Sequence, residues 1–234
     1  MISIVLPVYN EELILRKNTL SIFNYCQKNL VEPWQIVISD NRSTDKTSQI
    51  SQELIQERSQ IKYYHTRHQG KGYGVIEAWQ KYSSSIYVYM DIDLATDLSA
   101  LPELISQIQT GYDISLGSRF VKGAQVERSF NRKIFSFGLR SLLKLLFNLQ
   151  VKDAPCGFKA INQQILKIII PQIKNKTWFF DTEMLILAQR QGFKMKEIPV
   201  IWHESPQQAR KSKVNIISVI KDYLINIYSI YVRK

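Results

Sequence analysis

Cysteine is nearly missing from this chain. Cys26 and Cys156 are its two examples in 234 residues, too few and too far apart for a disulfide framework or a cysteine-rich zinc site. A reducing compartment is the expected setting. Long apolar runs are missing as well: no uncharged stretch reaches the roughly 18 residues that a membrane-spanning helix needs. The amino terminus enters an apolar strand at Ile2 with no basic leader, so no secretory signal is expected. Internal repeats, low-complexity stretches and a clear linker are absent, which at this length leaves one substantial core and at most two small domains. Acid is in short supply. Asp and Glu number 20 against 31 Lys and Arg, a formal net charge of +11, and such an excess favours an anionic partner: nucleic acid, a membrane surface or a phosphorylated substrate. Hydrophobic residues at 45% and charged residues at 22% exclude general disorder.

What is present begins with apolar strands that end in acids. Ile86-Tyr87-Val88-Tyr89-Met90 is a β-branched and aromatic run suited to a buried strand, and Asp91 and Asp93 follow it directly. Two carboxylates at such a place repel and lose hydration unless a cation or a hydrogen-bonded ligand sits between them, which points to a divalent metal. A solvated Asp beside a loop cap is the bland alternative. The same pattern recurs along the chain. Ile2 to Tyr9 forms a strand whose Pro7 confines its end to an edge or exit, with Asn10-Glu11-Glu12 where a helix would begin. Trp34 to Ser39 forms a second strand that ends at Asp40, and Ile61 to His65 a third. Gln69-Gly70-Lys71-Gly72-Tyr73-Gly74 then opens a helix, and close backbone approach plus one lysine suits a phosphate. Tyr112 to Gly117 is a further strand, followed by Arg119. Strands alternating with helices predict a mostly parallel sheet, in which ligands collect at the carboxyl ends of the strands. Tyr9, Asp40, Asp91, Asp93 and Arg119 all fall there.

The second half has another character. From Arg128 to Lys152 no acid occurs, and Arg128, Arg132, Ser136, Arg140 and Lys144 recur at every fourth position among Phe, Ile and Leu residues. This is a basic amphipathic helix with a wide apolar face, suited equally to a core or to a membrane interface. No reader helix or RNA-binding motif is present, so nucleic acid is not the expected partner. Asp153 to Lys159 reads as a tight, irregular connection, followed by a helix around Ile165 to Ile170. Phe180-Asp181-Thr182-Glu183 leads into another helix, and Lys196 to Trp202 reads as one late, edge-like strand because of Pro199. Arg210-Lys211-Ser212-Lys213 makes a basic turn. The tail predicts one apolar helical face of Ile216, Ile217, Ile220, Leu224, Ile227 and Tyr231, and Lys221, Asp222 and Asn226 within it favour docking on the domain or the membrane over spanning.

With these residues assembled, the chain resembles a family 2 glycosyltransferase of GT-A fold, and within that family the polyprenyl-phosphate (dolichyl-phosphate) mannose or glucose synthases. The resemblance covers nearly the whole chain and rests on seven segments taken in order: Leu6-Pro7-Val8-Tyr9-Asn10-Glu11, Asp40-Asn41-Arg42-Ser43-Thr44-Asp45, Gly70-Lys71-Gly72, Asp91-Ile92-Asp93, Gly117-Ser118-Arg119, Cys156-Gly157-Phe158-Lys159 and Phe180-Asp181-Thr182-Glu183. It implies a single catalytic domain over 1–234, with a nucleotide-sugar-binding half (1–118), an acceptor half (119–213) and a C-terminal amphipathic helix (214–234). By the same resemblance Pro7, Tyr9, Glu11, Asp40, Lys71 and Asp91 bind the nucleotide sugar, Asp91 and Asp93 hold Mg²⁺ or Mn²⁺, and Arg119, Arg132, Arg210 and Lys213 bind the acceptor phosphate. Asp93, Asp153, Arg119 and Arg132 form the implied catalytic set. The implied reaction is one inverting displacement that moves a hexose from a UDP-glucose-type or GDP-mannose-type donor to a polyprenyl phosphate, on the cytoplasmic face of a membrane. Arg42 stands where the family often has a small residue, and Ala95 where some mannose synthases carry a metal-binding glutamine. A hydroxyl acceptor is the alternative, with Asp153, Asp181 or Glu183 as its general base. A non-catalytic module that binds a nucleotide sugar or an anionic membrane is the second alternative.

Overall fold

A computed structural model describes residues 1–127, 130–203 and 216–233, with side chains left undescribed at 130–136 and 216–219. Its frame is one seven-stranded sheet. The strands are β1 (Ile2–Val8), β2 (Trp34–Asp40), β3 (Ile61–His65), β4 (Ile86–Met90), β5 (Ile114–Ser118), β7 (Phe158–Asn162) and β8 (Met195–Pro199), in spatial order β3-β2-β1-β4-β7-β5-β8. All neighbours run parallel except β7, which is antiparallel to both β4 and β5. A short parallel pair, β6 (Gln125–Glu127) with β9 (Ile201–His203), stands apart.

Strand alternation sends side chains to two apolar layers. Val5, Val37, Tyr87 and Tyr89 face one layer, while Ile4, Leu6, Ile36, Ile38 and Val88 face the other. Helices α1 (Leu15–Asn29), α2 (Thr47–Glu57) and α4 (Leu101–Gln109) cover the second layer. Helices α3 (Lys71–Lys81), α5 (Phe130–Phe147), α6 (Gln163–Ile168), α7 (Phe180–Arg190) and α8 (Ile216–Val232) cover the first. A sheet buried on both faces accounts for the near-continuous apolar runs of its parallel strands. The α/β architecture expected from the sequence is therefore the one observed. Among the described residues no helix is long and apolar enough to cross a membrane.

Several local expectations change. The connection read at 153–159 holds through Gly157, but its last two residues open a central strand, β7, in which Lys159 is fully buried against an acid. The late strand divides: β8 is an edge of the main sheet, as Pro199 predicted, while β9 joins β6. Glu11 and Glu12 precede α1 and do not open it; the Glu11 carbonyl accepts from Ile14 and Leu15. The packed face of α8 is Tyr223, Ile227 and Ile230, whereas Leu224 and Tyr231 of the expected face are 53% and 45% exposed. Tyr223 packs edge-on against Phe179, with ring centroids 5.2 Å apart.

Candidate active site

The loops after β1 and β2 form one stitched rim. Asn10, at φ +55°, takes a left-handed turn that asparagine tolerates. Its backbone N–H donates to the Ser43 hydroxyl at 2.8 Å, and its side-chain oxygen accepts from the Thr44 N–H at 2.7 Å. Glu11 N–H donates to Thr47 Oγ1 at 2.7 Å. Beneath this rim Asp40 is fully buried. It accepts from the Ser43 N–H and from the Tyr63 hydroxyl, both at 2.9 Å, with His65 Nδ1 at 3.7 Å. Burial, reinforced by the Asp40 charge, pushes the Tyr63 hydroxyl up to about 12, so it stays a donor. Pro7 and Tyr9 lie on the same carboxyl edge of the sheet, Tyr9 at the surface.

The glycine-rich loop does something other than cradle a phosphate. A Cβ on Gly70 would lie 2.6 Å from the Lys176 carbonyl oxygen, and one on Gly72 2.8 Å from the same oxygen. The Gly72 and Tyr73 N–H groups donate to Thr177 and Lys176 carbonyls at 3.1 and 2.9 Å. The first turn of α3, whose N–H groups an anion would need, is thus capped by the chain's own 176–177 backbone. The glycines serve that close approach. Lys71 alone reaches the site, its ammonium 2.6 Å from Asp91 Oδ1. Burial works to lower its pKa, but Asp91, Asp181 and Asp93 outweigh that and hold it above the ordinary lysine value.

Asp91 and Asp93 line one cleft of about 140 Å³ together with Thr96, Arg119, Gly157 and Trp202. The Asp91 side chain remains 46% exposed despite its lysine. Gly157 makes its seat, since a Cβ there would fall 2.1 Å from Asp91 Oδ2. Asp93 Oδ1 accepts from the Ala95 N–H at 3.1 Å, and Leu94, directly after the second acid, is left-handed at φ +54°. Among the described residues no group of three or more His, Cys, Asp or Glu could hold a metal. Two carboxylates on an open cleft do fit Mg²⁺ or Mn²⁺, hard cations that commonly take one or two protein carboxylates and complete their shell with substrate phosphate and water.

The other acids are spoken for. Asp153 is fully buried and forms a two-pronged pair with Arg119, at 2.8 Å from Nε and 2.7 Å from Nη2, and also accepts the Arg119 N–H at 2.9 Å. The Arg119 guanidinium lies over the Trp202 ring at 5.5 Å. Asp181 Oδ2 accepts from Lys159 at 2.7 Å and from the Tyr89 hydroxyl at 2.5 Å, and Lys159 also donates to the Cys156 carbonyl. Glu183 accepts from the Asn175 N–H at 2.8 Å and pairs with Arg233 at 3.2 Å. Burial raises the Tyr89 hydroxyl well above its usual range, Asp181 adding to it, and burial pushes the Cys156 thiol up to about 12. That thiol is inert at neutral pH.

The fold thus brings Lys71, Asp91, Asp93, Arg119 and Asp153 together, with Pro7, Tyr9, Glu11 and Asp40 on the adjoining strand ends. Arg132 lies on α5, its side chain undescribed, and Arg210 and Lys213 fall outside the described residues. Sequence reasoning missed Lys159, Tyr89 and Trp202. The only signal for the first two was their cross-strand register, Tyr89 opposite Lys159, which appears once β7 is recognised as a strand.

The model of the glycosyl transferase family 2 matches residues 3–169, and the chain belongs to that family. Among curated proteins it is 31% identical to the glycosyltransferase AglD of Haloferax volcanii, over 86% of this chain and 33% of AglD. It is 28% identical to the dolichyl-phosphate beta-glucosyltransferase of Saccharomyces cerevisiae, over 97% of this chain and 76% of that protein. It is 29% identical to the dolichol-phosphate mannosyltransferase of Pyrococcus furiosus, over 97% and 62%. The chain therefore spans a third of AglD and larger parts of the other two. Among solved structures, glucosyl-3-phosphoglycerate synthase of Mycobacterium tuberculosis with Mn²⁺, UDP and phosphoglyceric acid superposes at a TM-score of 0.73, with 18% identity over 99% of this chain and 78% of that one. That likeness is one of fold.

Proposed function

We propose that this chain transfers a hexose from a nucleoside-diphosphate sugar to a polyprenyl phosphate, in one inverting displacement. The observation that carries this reading is the state of the acids. A hydroxyl acceptor needs a general base, and each acid suited to that role is buried and ion-paired: Asp153 with Arg119, Asp181 with Lys159, Glu183 with Arg233. A phosphate monoester, with its second pKa near about 6, is already largely a dianion at neutral pH and needs none. Its requirement is for cations, which the acid-free stretch from Arg128 to Lys152 and the basic run Arg210-Lys211-Ser212-Lys213 offer in the sequence. The names of the relatives, which include both dolichyl-phosphate glucosyl and mannosyl transferases, support the acceptor class and leave both donor types in play.

On this reading Pro7, Tyr9, Glu11 and Asp40 hold the base and ribose, and Asp91, Asp93 and Lys71 face the diphosphate. A divalent cation at Asp91 and Asp93 supplies charge neutralisation to the leaving diphosphate when bound. Arg119, fixed by Asp153, faces the same cleft, and Arg132, Arg210 and Lys213 are the residues assigned to binding the acceptor phosphate. The outer faces of α5 and α8 carry Phe137, Leu145, Leu224, Ile225, Tyr228 and Val232 at 53% to 81% exposure. An apolar patch on a basic chain suits the cytoplasmic face of a membrane, where the lipid acceptor resides. The test is to incubate protein, Mn²⁺ and a short-chain polyprenyl phosphate with labelled UDP- and GDP-sugars. A mild-acid-labile labelled lipid is expected. Metal-dependent release of nucleoside diphosphate with no labelled lipid from any donor overturns the acceptor assignment.

A further inference from the structure

Lys71 is held in an unusual way. Its backbone is pinned, because the Gly72 and Tyr73 N–H groups are bonded to the 176–177 carbonyls and Gly70 and Gly72 lie hard against the same segment. Its side chain is not. The ammonium touches Asp91 Oδ1 at 2.6 Å and lies between two aromatic faces, 5.6 Å from the Tyr89 ring centroid and 5.8 Å from that of Trp178. Aromatic faces attract a cation wherever it rests between them, so the ammonium can leave Asp91 without losing all its compensation. Asp91 therefore starts out neutralised by a cation of the chain's own.

We propose that Lys71 is the resident counter-ion of Asp91, filling in the ligand-free enzyme the charge position that a divalent cation takes in the loaded one. The inference rests on the metal assignment of the preceding section. It makes binding ordered. A bare divalent cation meets an ion pair and must break it. A cation arriving with a diphosphate brings anionic oxygens that draw Lys71 away, so nucleotide and metal enter as one unit.

The experiment measures Mn²⁺ binding by the paramagnetic resonance of free Mn²⁺, with no nucleotide present, in wild type, Lys71→Met and Lys71→Arg. Lys71→Met is expected to bind Mn²⁺ about ten-fold more tightly than wild type, because the competing charge is gone. Lys71→Arg, which keeps the charge, is expected to stay within about two-fold of wild type. Adding UDP or GDP is expected to tighten Mn²⁺ binding more in wild type than in Lys71→Met. Thermal melts verify that each variant is folded. Equal Mn²⁺ affinity in wild type and Lys71→Met, abolished in both by Asp93→Ala, overturns the counter-ion role and leaves the metal site standing. Binding that Asp93→Ala does not weaken, or no binding in any variant with or without nucleotide, overturns both.

Discussion

Asp91 and Asp153 each meet a cation at close range and each lines or adjoins the same cleft, yet the two pairs are built for opposite purposes. Asp91 is 46% exposed and holds a lysine by one oxygen at 2.6 Å. Asp153 is fully buried and holds an arginine by two, with its own N–H and that of Lys152 bonded to Glu197. An exposed single contact is worth little to stability and can be exchanged for a ligand. A buried two-pronged pair cannot be opened without stranding a charge. On the proposed reading, acids of the first kind receive substrate and those of the second hold the receiving groups in place, and Asp181 with Lys159 belongs with the second kind.

The sharpest way to break that division is Asp93→Ala. Turnover is expected to fall by at least about a thousand-fold with an unchanged melt, since on the proposed reading the residue holds the cation that neutralises developing charge, and it supports no core. Near-normal turnover would remove the metal site from the account. The next largest effect is on stability. Asp181→Ala leaves Lys159 buried and unpaired and should cost about 3–5 kcal/mol in urea unfolding, most of which the double variant Asp181→Leu, Lys159→Met should recover. A loss below 1 kcal/mol on the urea curve would place Asp181 among the exchangeable acids. Gly157→Ala sharpens the contrast from the other side. Its new methyl would displace the Asp91 carboxylate, lowering kcat/KM about 10- to 100-fold with little change in unfolding midpoint. The smallest effect concerns the acceptor: Arg132→Ala should reduce transfer to lipid phosphate about ten-fold more than it reduces slow donor hydrolysis. Equal loss of both would take Arg132 out of the acceptor site.

Much of this was readable in the sequence because the exposed class sits at strand ends. Asp40, Asp91 and Arg119 follow apolar runs, and a parallel sheet places such positions on one edge. The motif also singles out Lys71, which the structure sets against Asp91, while its glycines accommodate the 176–177 backbone. The holding class was hidden. Lys159 reads as part of an irregular connection because its partner Asp181 lies on a helix 22 residues away, and a lysine near the start of a strand reads as a loop until that partner is known. Asp153 and Asp181 read as free bases for the same reason, since nothing in local sequence records a long-range ion pair. The rotation of α8 goes with distant contacts, such as Tyr223 on Phe179 and Arg233 with Glu183, which helical periodicity does not contain.

The central claim is that the acceptor is its own nucleophile and that no acid of this chain serves as its base. The most direct measurement offers the enzyme, in matched vesicles with one nucleotide sugar and Mn²⁺, a polyprenyl phosphate and the corresponding polyprenol, and compares kcat/KM for the two. The account predicts sugar transfer to the phosphate and none detectable to the alcohol. Comparable transfer to the alcohol would contradict it, because that reaction requires a base which Asp153, Asp181 and Glu183, paired as they are, do not provide.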